Sequence, residues 1–223
     1  MKNEIKFTPF QHPIQLTEEQ MLAQSEKYLG MIDGRRTVRE YSTRAVDRRV
    51  IENCIRAAST APSGAHKQPW HFVIVENPEV KSKIRVEAEK EEHEFYSGRA
   101  NEEWLAALEP FETNEHKPFL ETAPYLIVIF AKNYDLTENG DRSKNYYVQE
   151  SMGIATGFLI SALHQCGLST LTHTPSPMGF LSKVLKRPKN ERAFILLVVG
   201  HPADDARVPV LDRKPLSEVA TVV

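Results

Sequence analysis

The sequence predicts one α/β domain, in the broad sense that includes α+β folds. Apolar runs of strand length occur at 71–76, 125–131, 168–174 and 194–199, and segments with helical apolar spacing lie before and between them. Their order is helix, helix, strand, helix, strand, helix, strand, helix, strand, an alternation that places helices against a sheet. With 223 residues, of which 41% are apolar, the chain is long enough to bury a substantial core.

The predicted helices of the first third begin at residues that suit helix caps. Thr17 and Gln20 fit a capping box, and Gly30 is predicted as the residue just after the first helix. Asp47 is the expected cap of a second helix, whose apolar residues fall on one face. A third helix is predicted to begin near Glu79.

The segment 81–118 has few apolar residues among many glutamates and lysines. A helix with so thin an apolar stripe gains little from burial. We therefore expect this segment to be exposed and mobile, or ordered only by a ligand. Pro110 and Pro118 are predicted to break it.

The second half of the chain is more strongly apolar. The run 125–131 (YLIVIFA) predicts a central strand that is buried on both faces. The longest helix is predicted for 142–165 and a short helix for 180–186. In the tail 211–223, the residues from Val219 onward suit a strand added to another element.

Composition and charge exclude several classes of protein. The formal net charge of −2 lacks the basic excess of a nucleic-acid binder. Cys54 and Cys166 lie in apolar helical patterns and are predicted to be core thiols in a reducing compartment. Residues 1–7 contain no apolar signal region, and the apolar run 152–163 is too short to span a bilayer. The sequence therefore predicts a soluble cytoplasmic protein that binds neither membrane nor nucleic acid.

Common catalytic motifs are missing from the sequence. It contains no glycine-rich dinucleotide fingerprint, no P-loop and no His-Glu-x-x-His zinc motif. The run Glu92-His93-Glu94 lacks a metal-ligand spacing, so no metal site is expected. No serine nucleophile elbow surrounds Gly157, which leaves hydrolytic chemistry with little support.

Two stretches suggest a ligand site. Arg35, Arg36 and Arg39 place three guanidinium groups within five residues, and arginine is suited to bidentate phosphate recognition. The run 61–70 (APSGAHKQPW) joins a helix to a strand, and its small residues, Gly64 above all, would let a ligand approach the backbone. The alternatives are a solvated basic turn and an ordinary loop.

A family resemblance connects these stretches. The motifs RRTVR at 35–39, APSGAHKQPW at 61–70, THTP at 172–175 and RKPL at 213–216 occur in the order seen in nitroreductase-like flavoproteins. The chain resembles this family from about Met31 to the C-terminus, most closely its iodotyrosine deiodinase branch of FMN-dependent reductive dehalogenases.

The resemblance implies a fold and an assembly. The expected fold is nitroreductase-like, with a central mixed sheet flanked by helices, in an intertwined homodimer. Residues 1–34 would form an N-terminal extension and first helix. Residues 35–223 would form the FMN-binding domain, with a lid at about 81–118.

The resemblance also implies the cofactor and its contacts. FMN would bind non-covalently at the dimer interface, where arginines hold its phosphate and the edge of its ring. Ser63 and Gly64 would contact the flavin from the partner's loop, and the Thr174 hydroxyl would lie near the flavin N5 atom. The implied cofactor-binding residues are Arg35, Arg36, Thr37, Val38, Arg39, Ser63, Gly64, Thr172, His173, Thr174 and Arg213. The sequence leaves open whether His173 faces the ring or the core, and it favours a satisfied core histidine.

The same resemblance assigns a substrate site to the lid. Glu92 and Tyr96 are four residues apart, so a helix places them on one face. Glu92 would pair with the ammonium group of an amino-acid substrate, Lys117 with its carboxylate, and Tyr96 would cover it. The Ala65 N–H would donate to the substrate phenolate. The catalytic assignments are Thr174 and Ala65, and the alternative for the lid residues is a charged helix face with an unrelated lysine.

The implied reaction is reductive dehalogenation. Reduced FMN would donate electrons to a halotyrosine, so that mono- or diiodotyrosine becomes tyrosine plus halide. The alternatives are a general nitroaromatic or quinone reductase on the same fold, and a non-catalytic flavin-binding protein. The sequence leaves open the halogen and the electron source, which could be NADPH, another reductant or a separate reductase.

Overall fold

The computed structural model describes residues 6–223 of the chain. It contains two compact units, one reaching to Arg35 and the other spanning Arg36–Val223, and each is described by itself. The predicted absence of a signal region falls largely on residues 1–5, outside the described residues. Among the helices of residues 6–223, none is long and apolar enough to cross a membrane.

The first unit is organised around helix α1 (Glu18–Asp33). Its capping box is confirmed: the Thr17 hydroxyl accepts from the Gln20 N–H, and the Gln20 side chain accepts from the Thr17 N–H. The predicted end at Gly30 is wrong, because the helix continues to Asp33 and is capped by Gly34. An interior glycine costs only about 1 kcal/mol, which is too little to end a helix by itself.

The second unit contains six strands, four of which form its main sheet. Its six strands, in chain order, are β1 (Trp70–Val75), β2 (Tyr125–Lys132), β3 (Tyr134–Leu136), β4 (Arg142–Lys144), β5 (Ser169–His173) and β6 (Glu191–Gly200). The main sheet has the order β1-β2-β6-β5 with antiparallel pairs, and β3 pairs only with β4. A parallel bridge between Thr37 and Thr170 joins the β5 edge, so the expected mixed sheet contains one parallel contact.

Helices cover the sheet on both faces. Those that pack on it are α2 (Arg48–Ala58) and α6 (Val148–Gln165) on one face, and α3 (Pro78–Glu94), α5 (Phe119–Thr122) and α7 (Gly179–Val184) on the other. Two further helices, α4 (Glu102–Leu108) and α8 (Leu216–Val219), contain no buried residue. A π-helical segment, Phe95–Arg99, links α3 to α4, and 3-10 turns occur at Gly64–His66 and Glu109–Phe111. The predicted starts of α2 and α3 are confirmed, since Asp47 and Asn77 accept hydrogen bonds from the first turn of each helix.

The core explains why β2 is apolar throughout. Ile127 and Ile129 pack with α2 and α6 in one cluster of buried residues, whereas Leu126 and Val128 belong to a second cluster with residues of α3, α5 and α7. Successive strand side chains point to opposite faces, so a strand covered on both sides has no polar positions. The predicted central strand is confirmed.

The prediction of a helix over 142–165 is wrong at its start. Arg142–Lys144 is strand β4, which forms an antiparallel hairpin with β3, and the helix begins at Val148. Tyr147, with φ of 49°, adopts a left-handed conformation just before the helix. This backbone geometry prevents the helix from extending toward the hairpin.

The segment 81–118 is more regular than its composition suggests. Ile84 and Ala88 on α3 are 0% exposed, so a thin apolar stripe is still fully buried. The expectation of an exposed segment is therefore wrong for α3, while its mobility stays a prediction. The breaks agree with the prolines: α4 ends at Leu108, two residues before Pro110, and α5 begins directly after Pro118.

Two further expectations need correction. Cys54 is buried as predicted, but Cys166 caps the exposed end of α6, where the helix leaves the core. Their sulfur atoms lie 3.9 Å apart. The tail from Val219 was expected to be a strand, yet Val219 ends the short helix α8 and residues 220–223 lie outside any strand. The β-branched pattern there is too short and exposed to fix a strand alone.

Candidate active site

A cavity of about 390 Å³ lies between the end of α3, the π-helical segment and the end of β5. Its walls also include residues of the segment 113–117 and of α5. A cavity of this size can take a small aromatic ligand. The residues predicted from the sequence that line it are Arg39, Glu92, Tyr96, Lys117, Thr172, His173 and Thr174.

The structure brings the three lid residues into contact. Lys117 Nζ lies 3.1 Å from Glu92 Oε2, and the two side chains are only 4% and 14% exposed. The ammonium also donates to the Thr113 hydroxyl and to the Asn114 carbonyl oxygen. Burial lowers the pKa of Lys117, although the Glu92 carboxylate acts in the opposite direction. The pair therefore places one cation and one anion side by side at the cavity wall.

Tyr96 closes the same corner of the cavity. Its ring centroid lies 5.6 Å from Lys117 Nζ, a cation–π distance, and its hydroxyl donates to the Thr113 carbonyl oxygen at 3.2 Å. Burial raises the pKa of the Tyr96 hydroxyl, so this group remains a donor at neutral pH. Phe95 lies beside it, with its ring 4.9 Å from the Trp104 ring in an edge-to-face contact.

The end of β5 presents alternating side chains. Thr172 and Thr174 are exposed, whereas His173 between them is 7% exposed and packs edge-on against Phe119 at 5.7 Å. The expectation of a satisfied core histidine is wrong in one respect, because His173 Nε2 has no hydrogen-bond partner within residues 6–223. Burial, Lys117 and Arg39 lower the pKa of His173 to about 3. The imidazole is therefore neutral at physiological pH.

The arginines of the cluster Arg35, Arg36 and Arg39 belong to different units of the structure. Arg35 belongs to the N-terminal unit, where its N–H donates to the Ile32 carbonyl oxygen at 3.1 Å. In the second unit, the Arg36 guanidinium donates to the Pro209 carbonyl oxygen. Val38 is a core residue whose N–H donates to Thr170 at the β5 edge.

Arg39 faces the cavity with a half-buried guanidinium. It lies 5.6 Å above the Phe111 ring, and no carboxylate of residues 6–223 comes within 4 Å of it. Burial lowers the pKa of Arg39. Together with Thr37, it also lines an adjoining depression of about 460 Å³. An arginine with this surrounding can receive an anionic group of a ligand.

The loop between α2 and β1 lies apart from the cavity, so Ser63, Gly64 and Ala65 are not among its lining residues. The Ser63 hydroxyl accepts from the Gln68 N–H at 2.9 Å. A Cβ atom on Gly64 would come within 2.7 Å of the Tyr146 carbonyl oxygen, so close packing of the chain itself requires glycine there. Ala65 is exposed and left-handed, with φ of 50°.

Arg213 also lies outside the cavity, in the exposed tail. Sequence reasoning missed several residues that do line it, including Glu91, Phe95, Arg99, Trp104 and Phe119. Phe95 and Arg99 are three and seven residues after Glu92, a spacing that keeps side chains on one helical face. That spacing was a usable signal for both.

Comparison with known proteins identifies the family. Residues 32–201 match the family model described as the nitroreductase family. The chain belongs to the nitroreductase family. Its motif-based resemblance to the iodotyrosine deiodinases of that family is confirmed by relatives of known name.

Two curated relatives and one solved structure illustrate the similarity. Iodotyrosine deiodinase of Haliscomenobacter hydrossis is 58% identical over 222 residues, which is 100% of both chains. Iodotyrosine deiodinase 1 of Homo sapiens is 41% identical over 220 residues, covering 98% of this chain and 76% of the human one. A crystal structure of oxidized iodotyrosine deiodinase bound to FMN and 3-iodo-L-tyrosine matches with a TM-score of 0.74 and 29% identity, covering 87% of this chain and 100% of that one. The nitroreductase-like fold predicted from the motifs is confirmed.

Proposed function

We propose that this nitroreductase-family chain is an FMN-dependent iodotyrosine deiodinase, which converts mono- and diiodotyrosine to tyrosine and halide. The observation that carries the proposal is the Glu92–Lys117 pair beneath the Tyr96 ring. A free amino acid carries an ammonium and a carboxylate on one carbon, so it needs an anion and a cation close together. The cavity provides both within 3.1 Å. Relatives named as iodotyrosine deiodinases support the same reaction.

The residues at the cavity fit FMN. Arg39 has no carboxylate partner among the described residues, and His173 Nε2 is a buried polar atom that has no hydrogen bond there. Both are groups that a polar, anionic ligand would satisfy. FMN, when bound, supplies the electrons that break the carbon–halogen bond. A solved relative described as bound to FMN supports this choice of cofactor.

We assign the protein's contacts with the cofactor as follows. The guanidinium groups of the arginine cluster and Arg213 hold the phosphate and the electron-rich ring edge. Ser63 and Gly64 reach the flavin from the loop of a partner chain. The exposed hydroxyls of Thr172 and Thr174 and the main chain around His173 lie along the flavin, and Thr174 donates to it. The residues assigned to the cofactor are Arg35, Arg36, Thr37, Val38, Arg39, Ser63, Gly64, Thr172, His173, Thr174 and Arg213.

We assign the substrate contacts to the lid. Lys117 binds the substrate carboxylate and Glu92 binds the ammonium, while Tyr96 covers the bound amino acid and helps to exclude water. The Ala65 N–H donates to the phenolate oxygen, which halogen substituents help to ionise. The lid binds the charged groups of the substrate, whereas the flavin reacts with its ring. A change in the lid should therefore affect substrate binding and leave the redox step intact.

Three parts of the proposal concern the setting of the enzyme. A homodimer is needed because Ser63, Gly64 and Ala65 lie away from the cavity of their own chain. The electron source is NADPH, another reductant or a separate reductase. A cytoplasmic location remains a prediction from the sequence.

The test compares two substrates on one variant. Dithionite-reduced protein should release iodide from diiodotyrosine under anaerobic conditions. Lys117→Ala should raise the KM for diiodotyrosine by about a hundredfold, since a partner charge in a buried pair is lost, while leaving nitrophenol reduction within about twofold. Lys90→Ala removes an exposed lysine of α3 and serves as the matched control. Reduction of nitrophenol without any deiodination by the parent protein would favour a general nitroreductase instead.

A further inference from the structure

One face of α3 and of the π-helical segment that continues it holds the segment 113–117 at three points. Glu89, Glu92 and Tyr96 are spaced by three and four residues, so they share that face. Tyr96 donates to the Thr113 carbonyl oxygen at 3.2 Å, and Glu92 lies 3.1 Å from Lys117 Nζ. The third contact is different in kind: the Glu89 carboxylate accepts the main-chain N–H of Lys117 at 2.6 Å. The helix therefore fixes both the main chain and the side chain of Lys117.

The Glu89 carboxylate is itself held in place. Arg85, one turn earlier, donates its Nε to Glu89 Oε1 at 2.8 Å and its Nη1 to Glu121 Oε2 on α5 at 3.2 Å. Burial alone would raise the pKa of Glu89, but the hydrogen bonds from Lys117 and Arg85 outweigh it and lower the pKa. The carboxylate is thus ionised at neutral pH, when it accepts most strongly.

The other side of the Lys117 peptide is held by α5. The Lys117 carbonyl oxygen accepts from the Leu120 N–H at 3.1 Å, in the turn that opens α5. Glu89 is therefore the residue of α3 that holds the Lys117 main-chain N–H, while Arg85 and Lys81 of the same helix bond to α5 and the residues after it. Without it, only flexible side chains would connect Lys117 to α3.

We propose that Glu89 is a positioning residue for substrate recognition, because it holds the Lys117 main chain where Nζ meets Glu92 and the substrate carboxylate. The proposal rests on the proposed function for the role of Lys117, and it adds a residue that touches neither substrate nor cofactor. Its loss should weaken binding of the amino-acid group and leave electron transfer intact.

Four variants separate this role from a general effect on the fold. Glu89→Leu removes the acceptor, and Glu89→Asp keeps the charge but is one methylene too short to reach the Lys117 N–H. Glu89→Gln keeps an oxygen acceptor at full length and should rescue. Glu87→Gln is the matched control, since Glu87 pairs with Lys90 on the same helix, away from Lys117.

Two measurements on the full-length, FMN-loaded protein decide the question. In steady-state assays, Glu89→Leu should raise the KM for diiodotyrosine about tenfold with kcat within about twofold, and nitrophenol reduction should be unchanged. In competitive acetylation with mass spectrometry, Lys117 should react about tenfold faster in Glu89→Leu than in the parent, measured against exposed Lys214. Glu89→Asp should follow in the same direction, and both Glu89→Gln and Glu87→Gln should match the parent.

The opposite results are equally specific. Parent-like acetylation of Lys117 in both Glu89→Leu and Glu89→Asp overturns the proposal, as does an equal rise in KM for nitrophenol. Should Glu89→Leu fail to fold, Glu89→Asp carries the same two measurements. A parent protein that never releases iodide contradicts the proposed function alone, because acetylation of Lys117 still reports whether Glu89 positions it.

Discussion

At His173, burial and two nearby cations act on the imidazole in the same direction. The folded pKa of about 3 lies below the value of 6.5 for an unperturbed histidine. The unfolded chain therefore binds a proton below pH 6.5 that the folded chain does not bind, and the folded state loses stability as the pH falls from 6.5 toward 3. The loss should be about 1.4 kcal/mol for each pH unit in that window.

This pH dependence can be assigned to His173 by substitution. We predict that His173→Gln, which cannot titrate, loses about 2 kcal/mol less stability than the parent between pH 6.5 and pH 5. Urea unfolding at both pH values measures the difference. His116→Gln removes an exposed imidazole and should behave as the parent does. An identical pH dependence in parent and His173→Gln would show that the imidazole is protonated in the folded protein.

At the scale of elements, Arg99 connects the lid to the chain that follows β5. Arg99, at the end of the π-helical segment, donates to the Ser176 carbonyl oxygen beyond β5 at 2.7 Å and to the Glu91 carbonyl oxygen at 2.6 Å. No residue from 95 to 111 is buried, so packing contributes little to holding this part of the chain. A guanidinium that bridges two elements therefore has a large share in ordering the lid.

We predict that Arg99→Gln loosens the lid without affecting the sheet. Amide hydrogen exchange should quicken at least tenfold across residues 95–111, because each lost charge-assisted hydrogen bond contributes about 1.5–3 kcal/mol, and should stay unchanged in Tyr125–Lys132. Exchange measured by mass spectrometry gives both regions in one experiment. Arg56→Gln, on α2, is a control outside the lid. Faster exchange throughout the protein would instead point to global destabilisation.

At the scale of the whole molecule, α6 presents an apolar face without a partner among the described residues. Ile154 and Phe158 are 41% and 45% exposed, and a Cβ atom on Gly153 or Gly157 would meet nothing within 4 Å. Small residues beside large apolar ones allow another backbone to approach closely. This face suits the homodimer of the proposed function.

We predict that Phe158→Glu converts the dimer to a monomer and lowers FMN occupancy at least tenfold, since a charge buried in an apolar interface is strongly unfavourable. Light scattering after gel filtration gives the mass, and flavin absorbance gives the occupancy. Val86→Glu places the same charge at an equally exposed apolar position on α3 and should remain dimeric. A Phe158→Glu dimer with full flavin would place the subunit interface elsewhere.

Patterns of a few adjacent residues were enough to predict helix caps and a strand that is buried on both faces. The capping residues Thr17 and Asp47 and the apolar run of β2 are examples, since a cap or a doubly buried strand is encoded in adjacent residues. The hairpin of β3 and β4 was overlooked although Asn139-Gly140 marks it, with Gly140 at φ of 82°. Helix α6 was predicted to begin at Arg142, which extends it too far toward the N-terminus, into strand β4.

The candidate site was predictable only through motifs. The assignment of Glu92 and Lys117 to one substrate site followed from the resemblance, but their direct ion pair was not predicted. The contact of Glu89 with the Lys117 N–H joins positions 28 residues apart and has no sequence signature. The unpartnered Nε2 of His173 likewise depends on which side chains pack around it. Within the chain, the requirement for glycine at position 64 comes from Tyr146, far along the sequence.

In the free protein, Glu92 and Lys117 are each other's counter-ions, so the charged groups of a bound ligand must displace this ion pair. Binding a halotyrosine exchanges one ion pair for two, and since its ammonium and carboxylate together carry no net charge, the corner of the cavity around Glu92 and Lys117 neither gains nor loses charge. A tyramine, which lacks the carboxylate, would leave the Lys117 ammonium without a counter-ion, and a phenylpropionate would do the same to Glu92. Each analogue separates Glu92 from Lys117 but supplies a new counter-ion to only one of them. Both analogues should therefore bind more weakly than the intact amino acid.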